Sequence, residues 1–183
     1  MNFTIDRDVL LNQLIHIQKG LPNKTPLPIL YAFKFEVFSD YIQLTSSNSD
    51  IAIQVLIDDP SLVVHKTGKI ALPGRYFIEI IRKVAAKRIE IALQEERLLV
   101  IKADRSEFKL KLMDIDDYPD VDFLDLTEPI LMSSEIIKEV IRETNFATAY
   151  NEKRPILTGV NFKYQDDHLY AVATDSYRLS QKN

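Results

Sequence analysis

The feature that most constrains this chain is that it matches itself. Sliding the sequence by 127 positions lays "LPILYAFKFEVFSDYIQLTSSNSDIAIQ" (27–54) on "RPILTGVNFKYQDDHLYAVATDSYRLSQ" (154–181) without a gap. Pro28, Ile29 and Leu30 fall on Pro155, Ile156 and Leu157, Phe35 on Phe162, Asp40 on Asp167, Ser49 on Ser176 and Gln54 on Gln181. The same offset carries Val9, Leu10 and Leu14 onto Ile136, Ile137 and Ile141. Helix-like and strand-like segments that repeat in one register mark a duplication. The expectation is one domain over 1–122, a linker over 123–127, and the first half of a homologous domain over 128–183.

Polarity within the copies alternates with the period of a half-buried strand. Tyr31, Phe33, Phe35 and Val37 alternate with Ala32, Lys34 and Glu36, and Phe108, Leu110 and Leu112 with Lys109 and Lys111. One wet and one dry face favours antiparallel pairing. Helical spacing appears in Leu10, Leu14 and Ile17 after a capping Asp6, in Phe77, Ile80, Ile81 and Val84 after "LPG", and in Ile137, Val140 and Ile141 after Ser133 and Ser134. Residues 2–57 read strand, helix, then strands near 29–37, 41–46 and 50–57; residues 68–112 read in the same order. The fold class is therefore α+β, built from duplicated strand-helix-strand-strand-strand units with antiparallel sheets.

The absence of cysteine excludes disulfides and thiolate metal sites. His16, His65 and His168 are scattered without ligand spacing, and four glycines form no phosphate loop. Asp114, Asp116 and Asp117 lack the glycine and distal glutamate of a calcium loop, so the acidic run 114–125 reads as a solvated linker. The start "MNFTIDRDVLL" is not a signal peptide and no segment has membrane-span length, which makes a cytoplasmic location the default. A net charge of -4 argues against indiscriminate coating of nucleic acid but leaves room for a local basic face. Such a face is foreshadowed by Arg75, Arg82, Lys83, Lys87 and Arg88 against Glu79, with Arg75 and Arg82 seven residues apart, opposite the apolar positions.

"MNFTIDRDVLL", "TPLPIL", "DDYP" and above all "RPILTGVNF" followed by "LYAVATDSYRLS" resemble the beta subunit of bacterial DNA polymerase III, the sliding clamp family. The resemblance runs the length of the chain. It implies clamp-type domains, three per chain, with sheets outside and helices lining the hole of a head-to-tail homodimeric ring around double-stranded DNA. It implies a non-catalytic processivity factor without cofactor or metal. The implied partners are the replicative DNA polymerase alpha-type subunit, the clamp loader, and repair and other polymerases that bind through short linear motifs.

Three sets of residues carry the implied roles. DNA phosphates fall to Lys24, Arg75, Arg82, Lys138, Arg142, Lys153 and Arg154. One wall of a peptide groove falls to Leu157, Thr174, Tyr177, Arg178 and Leu179; Tyr177 and Ser176 stand where many members carry histidine and glycine. The dimer interface falls to Phe77, Ile81, Arg105 and Phe108. The residues alone leave two other readings open, a peptide-binding adaptor that never encircles DNA and a small-molecule enzyme using the acidic 114–125 loop.

Overall fold

The computed structural model describes residues 1–123, 131–151 and 153–183. The chain divides into two compact units, Met1–Phe123 and Leu124–Asn183. Beyond Phe123, the expected linker lies outside the described residues.

In the first unit the order is β1 (Asn2–Asp6), α1 (Arg7–Ile17), β2 (Ala32–Val37), β3 (Ile42–Ser47), β4 (Ala52–Ile57), β5 (Val63–Lys66), β6 (Gly68–Pro73), α2 (Gly74–Lys83), β7 (Arg88–Glu95), β8 (Leu98–Ala103) and β9 (Ser106–Lys111). Strand-helix-strand-strand-strand thus occurs twice, with β5 between the copies. The two sheets run β5-β1-β7-β8-β9 and β4-β3-β2-β6, and every pairing is antiparallel. Each copy therefore gives its first strand to the other's sheet: β1 pairs with β7, and β6 with β2. This exchange ties the two copies into one compact unit.

Aromatic packing ties the layers together. Phe3 of β1 stacks on Phe35 of β2 at 5.7 Å between ring centroids, and Phe35 meets Phe77 of α2 edge-on at 6.0 Å. All three are wholly buried, together with Leu10, Leu14 and Ile17 of α1. Rings in stacked and edge-on arrangements add about 0.5–1.5 kcal/mol per pair beyond the area they bury. Asp6 caps α1 by accepting from the Asp8 N–H. Arg7 reaches the other helix and donates to the carbonyls of Ile81 and Arg82 at 3.0 and 2.8 Å, satisfying groups that the end of α2 leaves open.

A second, smaller core lies beside the first: Ile29, Leu30, Ala32, Ala71 and Tyr118, with Met113, Ile115 and Val121 against them. Residues 28–31 form a 3-10 turn rather than the expected start of a strand. Pro28 fixes φ at the first position of that turn, and Leu30 is directed into the small core. Tyr118 donates its hydroxyl to the Thr45 carbonyl at 3.3 Å, which pins residues 115–122 against β3.

The second unit contains α3 (Ser134–Thr144) and the sheet β10 (Asn161–Gln165), β11 (His168–Thr174) and β12 (Leu179–Lys182) in sequential order. Ser133 caps α3 by accepting from the Ile136 N–H. Lys182 joins the sheet to the helix, 2.9 Å from both Glu139 and Glu143. Its hydrogen bonds to Glu143 and Glu139 raise its pKa, and the bond from Lys182 lowers that of Glu139. Among the described residues no helix is long and apolar enough to cross a membrane.

Candidate functional site

The cationic candidates of the first unit converge. Arg75 opens α2 and donates from its guanidinium to the Pro22 carbonyl at 3.0 Å and to Asn23 Oδ1 at 3.2 Å. Two turns on, Arg82 stands on the same exposed face. Both line a cleft of about 410 Å3 together with Lys19 and Glu79, at the junction of α2 with the end of α1. Lys24 is exposed in the loop beside Asn23. Lys19 escaped sequence reading because it stands alone beyond the last apolar turn of α1. The arrangement offers a shallow, mainly positive surface, suited to phosphates and poorly suited to reading bases.

In the second unit Lys138 and Arg142 are exposed on one face of α3. Lys153 and Arg154 are exposed just before a 3-10 turn, Pro155–Leu157, that answers the turn at 28–31.

Four of the groove candidates, Thr174, Tyr177, Arg178 and Leu179, cluster at the turn between β11 and β12, and the fifth, Leu157, lies in the 3-10 turn Pro155–Leu157. Thr174 Oγ1 donates to the Arg178 carbonyl at 2.7 Å and accepts from the Ser176 N–H at 3.1 Å. Asp175 Oδ1 accepts from the N–H groups of Tyr177 and Arg178, each at 3.0 Å, and its other oxygen accepts from Arg178 Nε at 3.0 Å. The Tyr177 N–H first, with the N–H and guanidinium of Arg178, holds the Asp175 carboxyl below its ordinary pKa. Arg178 also lies over the ring of Phe146, 5.7 Å from its centroid. Tyr177 is 97% exposed and Leu179 65%, while Leu157 is half-buried. The result is an apolar ledge with a fixed guanidinium beside it. Sequence reasoning missed Phe146 and Asp175, since an exposed aromatic carries no period and Asp175 acts through backbone geometry.

The interface candidates separate into two kinds. Arg105 is exposed in the turn before the edge strand β9 and Phe108 is half-buried on that strand, and the two line a cleft of about 530 Å3 with Val84 and Ala86. Phe77 and Ile81 are corrected: both have zero exposure and belong to the main core, so neither can touch a partner chain. The helical period that singled them out is the period of a core face.

The acidic run takes a structural role. Asp114 caps the 3-10 turn Ile115–Asp117 and pairs with Arg97. Among the described residues no group of three His, Asp or Glu side chains is placed to hold a metal ion.

A pair of antiparallel sheets backed by two helices, repeated in part by a second unit of the same order, defines a DNA-clamp-type α+β protein. The profile described as "DNA polymerase III beta subunit, N-terminal domain" matches residues 1–122, and that described as "DNA polymerase III beta subunit, central domain" matches 131–183. The chain belongs to the DNA polymerase III beta subunit family. It is 38% identical to the beta sliding clamp of Staphylococcus epidermidis over 98% of its own length and 49% of that relative. The crystal structure of the DNA polymerase sliding clamp from Bacillus subtilis superposes with a TM-score of 0.95 at 35% identity, over 100% of this chain and 49% of that one. The beta subunit from Streptococcus pyogenes gives 0.94 at 34%, again over 100% and 49%. The chain thus spans about half the length of the relatives it matches.

Proposed function

We propose that these residues are the first domain and part of the second of a DNA-encircling processivity factor, a cytoplasmic, non-catalytic partner of the replicative polymerase. In a closed ring a polymerase is held by topology: its effective concentration at the primer end rises while the ring slips along phosphates. The observation that carries this reading is the cationic cleft of Arg75, Arg82 and Lys19 at the α1–α2 junction. Weak, sequence-independent attraction is what a sliding ring requires, because tight base contacts would stop it. Lys24, Lys138, Arg142, Lys153 and Arg154 are exposed and extend the same chemistry.

The ledge formed by Leu157, Thr174, Tyr177, Arg178 and Leu179 is one wall of a groove for short linear motifs of the polymerase, clamp loader and repair proteins. Apolar and aromatic anchors would supply the affinity and Arg178 the pairing with an acidic motif residue. Arg105, in the turn before β9, and Phe108, on that edge strand, are the interface to a second copy in the head-to-tail homodimer.

The test is a chimera in which these 183 residues replace the corresponding part of the Staphylococcus epidermidis clamp. It is loaded by that organism's clamp loader with ATP onto nicked circular DNA, which is then cut once. Retention on circles and loss after linearisation is the expected result. Equal retention on both forms, or none on either while the parent clamp is retained, would overturn the reading.

A further inference from the structure

The turn after β3 and residues 119–122 enclose a cleft of about 370 Å3 in the first unit that none of the roles above uses. Its floor is Leu30, almost wholly buried, and its rims are Leu27 and Ile51, 51% and 56% exposed. The opposite wall carries Val121, held in place because it packs on the small core that Tyr118 anchors. The charged residues lining the cleft are Asp50, Asp120 and Asp122, all exposed carboxylates.

The cleft has the same scaffold as the ledge of the second unit, with different charge. Ser49 and Ser176 both hold the left-handed conformation, φ 79° and 78°. Asn48 Oδ1 accepts from the N–H groups of Asp50 and Ile51 at 3.1 and 2.9 Å, as Asp175 Oδ1 does from those of Tyr177 and Arg178. Leu30 and Leu157 lie in matching proline-led turns. On this shared frame Ile51 stands where Arg178 stands, and Asp50 where Tyr177 stands.

We propose that this first-domain cleft docks a short extended peptide of another protein that carries Arg or Lys beside aliphatic anchors. Aliphatic side chains would occupy the surface between Leu27, Ile51 and Val121, and the cations would meet Asp50, Asp120 and Asp122. Nucleic acid is disfavoured there because the carboxylates repel phosphates. A hydrated divalent cation is disfavoured by the apolar floor and rims. A peptide suited to the ledge beside Arg178 would meet repulsion in this cleft, so the two sites sort motifs by charge. The proposal stands on its own cleft and does not depend on the peptide role of the second unit.

The experiment is fluorescence anisotropy of the 183-residue chain with a fluorescein-labelled peptide, Gly-Arg-Leu-Lys-Leu-Arg-Gly, and its counterpart with glutamate at every cationic position. The expected result is binding of the basic peptide at least about tenfold tighter than the acidic one. Asp50→Lys with Asp122→Lys should weaken it by about tenfold or more, and so should Leu27→Ser with Ile51→Ser, while Tyr177→Ala should leave it unchanged. These positions are exposed, and thermal melts would verify that the variants fold. Loss on Tyr177→Ala would assign the binding to the other unit and overturn the proposal. Indifference to the aliphatic pair would reduce it to diffuse charge attraction, and absence of binding up to about 1 mM would refute it outright.

Discussion

The Ser46 hydroxyl occupies the space that a side chain on Gly20 would need: a β-carbon at Gly20 would lie 2.2 Å from Ser46 Oγ. That hydroxyl is wholly buried and donates to the Ile17 carbonyl at 2.7 Å, closing the last turn of α1 onto β3. Gly20→Ala should therefore displace Ser46 and break a buried hydrogen bond, a loss of about 2 kcal/mol. Adding Ser46→Gly should relieve the clash, so that the double variant is more stable than the sum of the two single changes predicts. Urea unfolding of the four proteins in the cycle measures this directly.

Tyr118 gives the fold a pH dependence with a definite sign. Burial pushes its phenol up to about 12 from the usual 10.0, while the hydroxyl is spent on the Thr45 carbonyl. The folded state thus holds the proton more tightly than the unfolded state. Its contribution is complete below the unfolded value and declines as pH rises from 10 towards 12. Tyr118→Phe should be less stable near neutral pH, by the lost hydrogen bond, and should lose less stability on going to alkaline pH. Urea midpoints of both proteins between about pH 8 and pH 11 would show the curves converging; parallel curves would refute the assignment.

Equivalent phenylalanines should behave differently in the two units. Phe35 is wholly buried between Phe3 and Phe77, whereas its repeat counterpart Phe162 on β10 is 44% exposed. Phe35→Ala empties the junction of two sheets and a helix and should cost about 3–5 kcal/mol. Phe162→Ala should cost under about 1 kcal/mol, in keeping with a partly exposed site. Calorimetry of the two variants separates them, and a comparable loss in both would count against the burial described.

These contrasts mark what could be read in the sequence. The alternation in 31–37 and 108–112 and the caps at Asp6 and Ser133 placed most elements, because period and capping are local properties. β5 carried no such signal: Val63–Lys66 is an edge strand whose burial does not alternate. The exchange of β1 and β6 between the copies was hidden because pairing partners lie far apart in the chain. Among the candidate residues, Arg75 and Arg82 were legible as one exposed helix face, whereas Leu157 and Thr174 to Leu179 came from the family resemblance and not from any period in the sequence. Phe77 and Ile81 were misread because an apolar helical stripe identifies a buried face without naming what buries it.

The cationic cleft can be tested by the salt dependence of weak duplex binding. Each phosphate contact releases condensed counterions, so the slope of log K against log salt is about -0.9 for every phosphate neutralised. Arg75→Ala with Arg82→Ala removes two cations from one cleft while leaving Ile78 and the core face of α2 untouched. If both meet phosphates, the slope should become shallower by about 2, and affinity at low salt should fall by about tenfold or more, alike for duplexes of any sequence. Arg105→Ala, in the turn before β9 and outside the cationic cleft, removes one charge without that change in slope. An equal effect of all three substitutions would mean that net charge alone governs binding, and a sequence-dependent loss would point to base contacts that a sliding surface should lack.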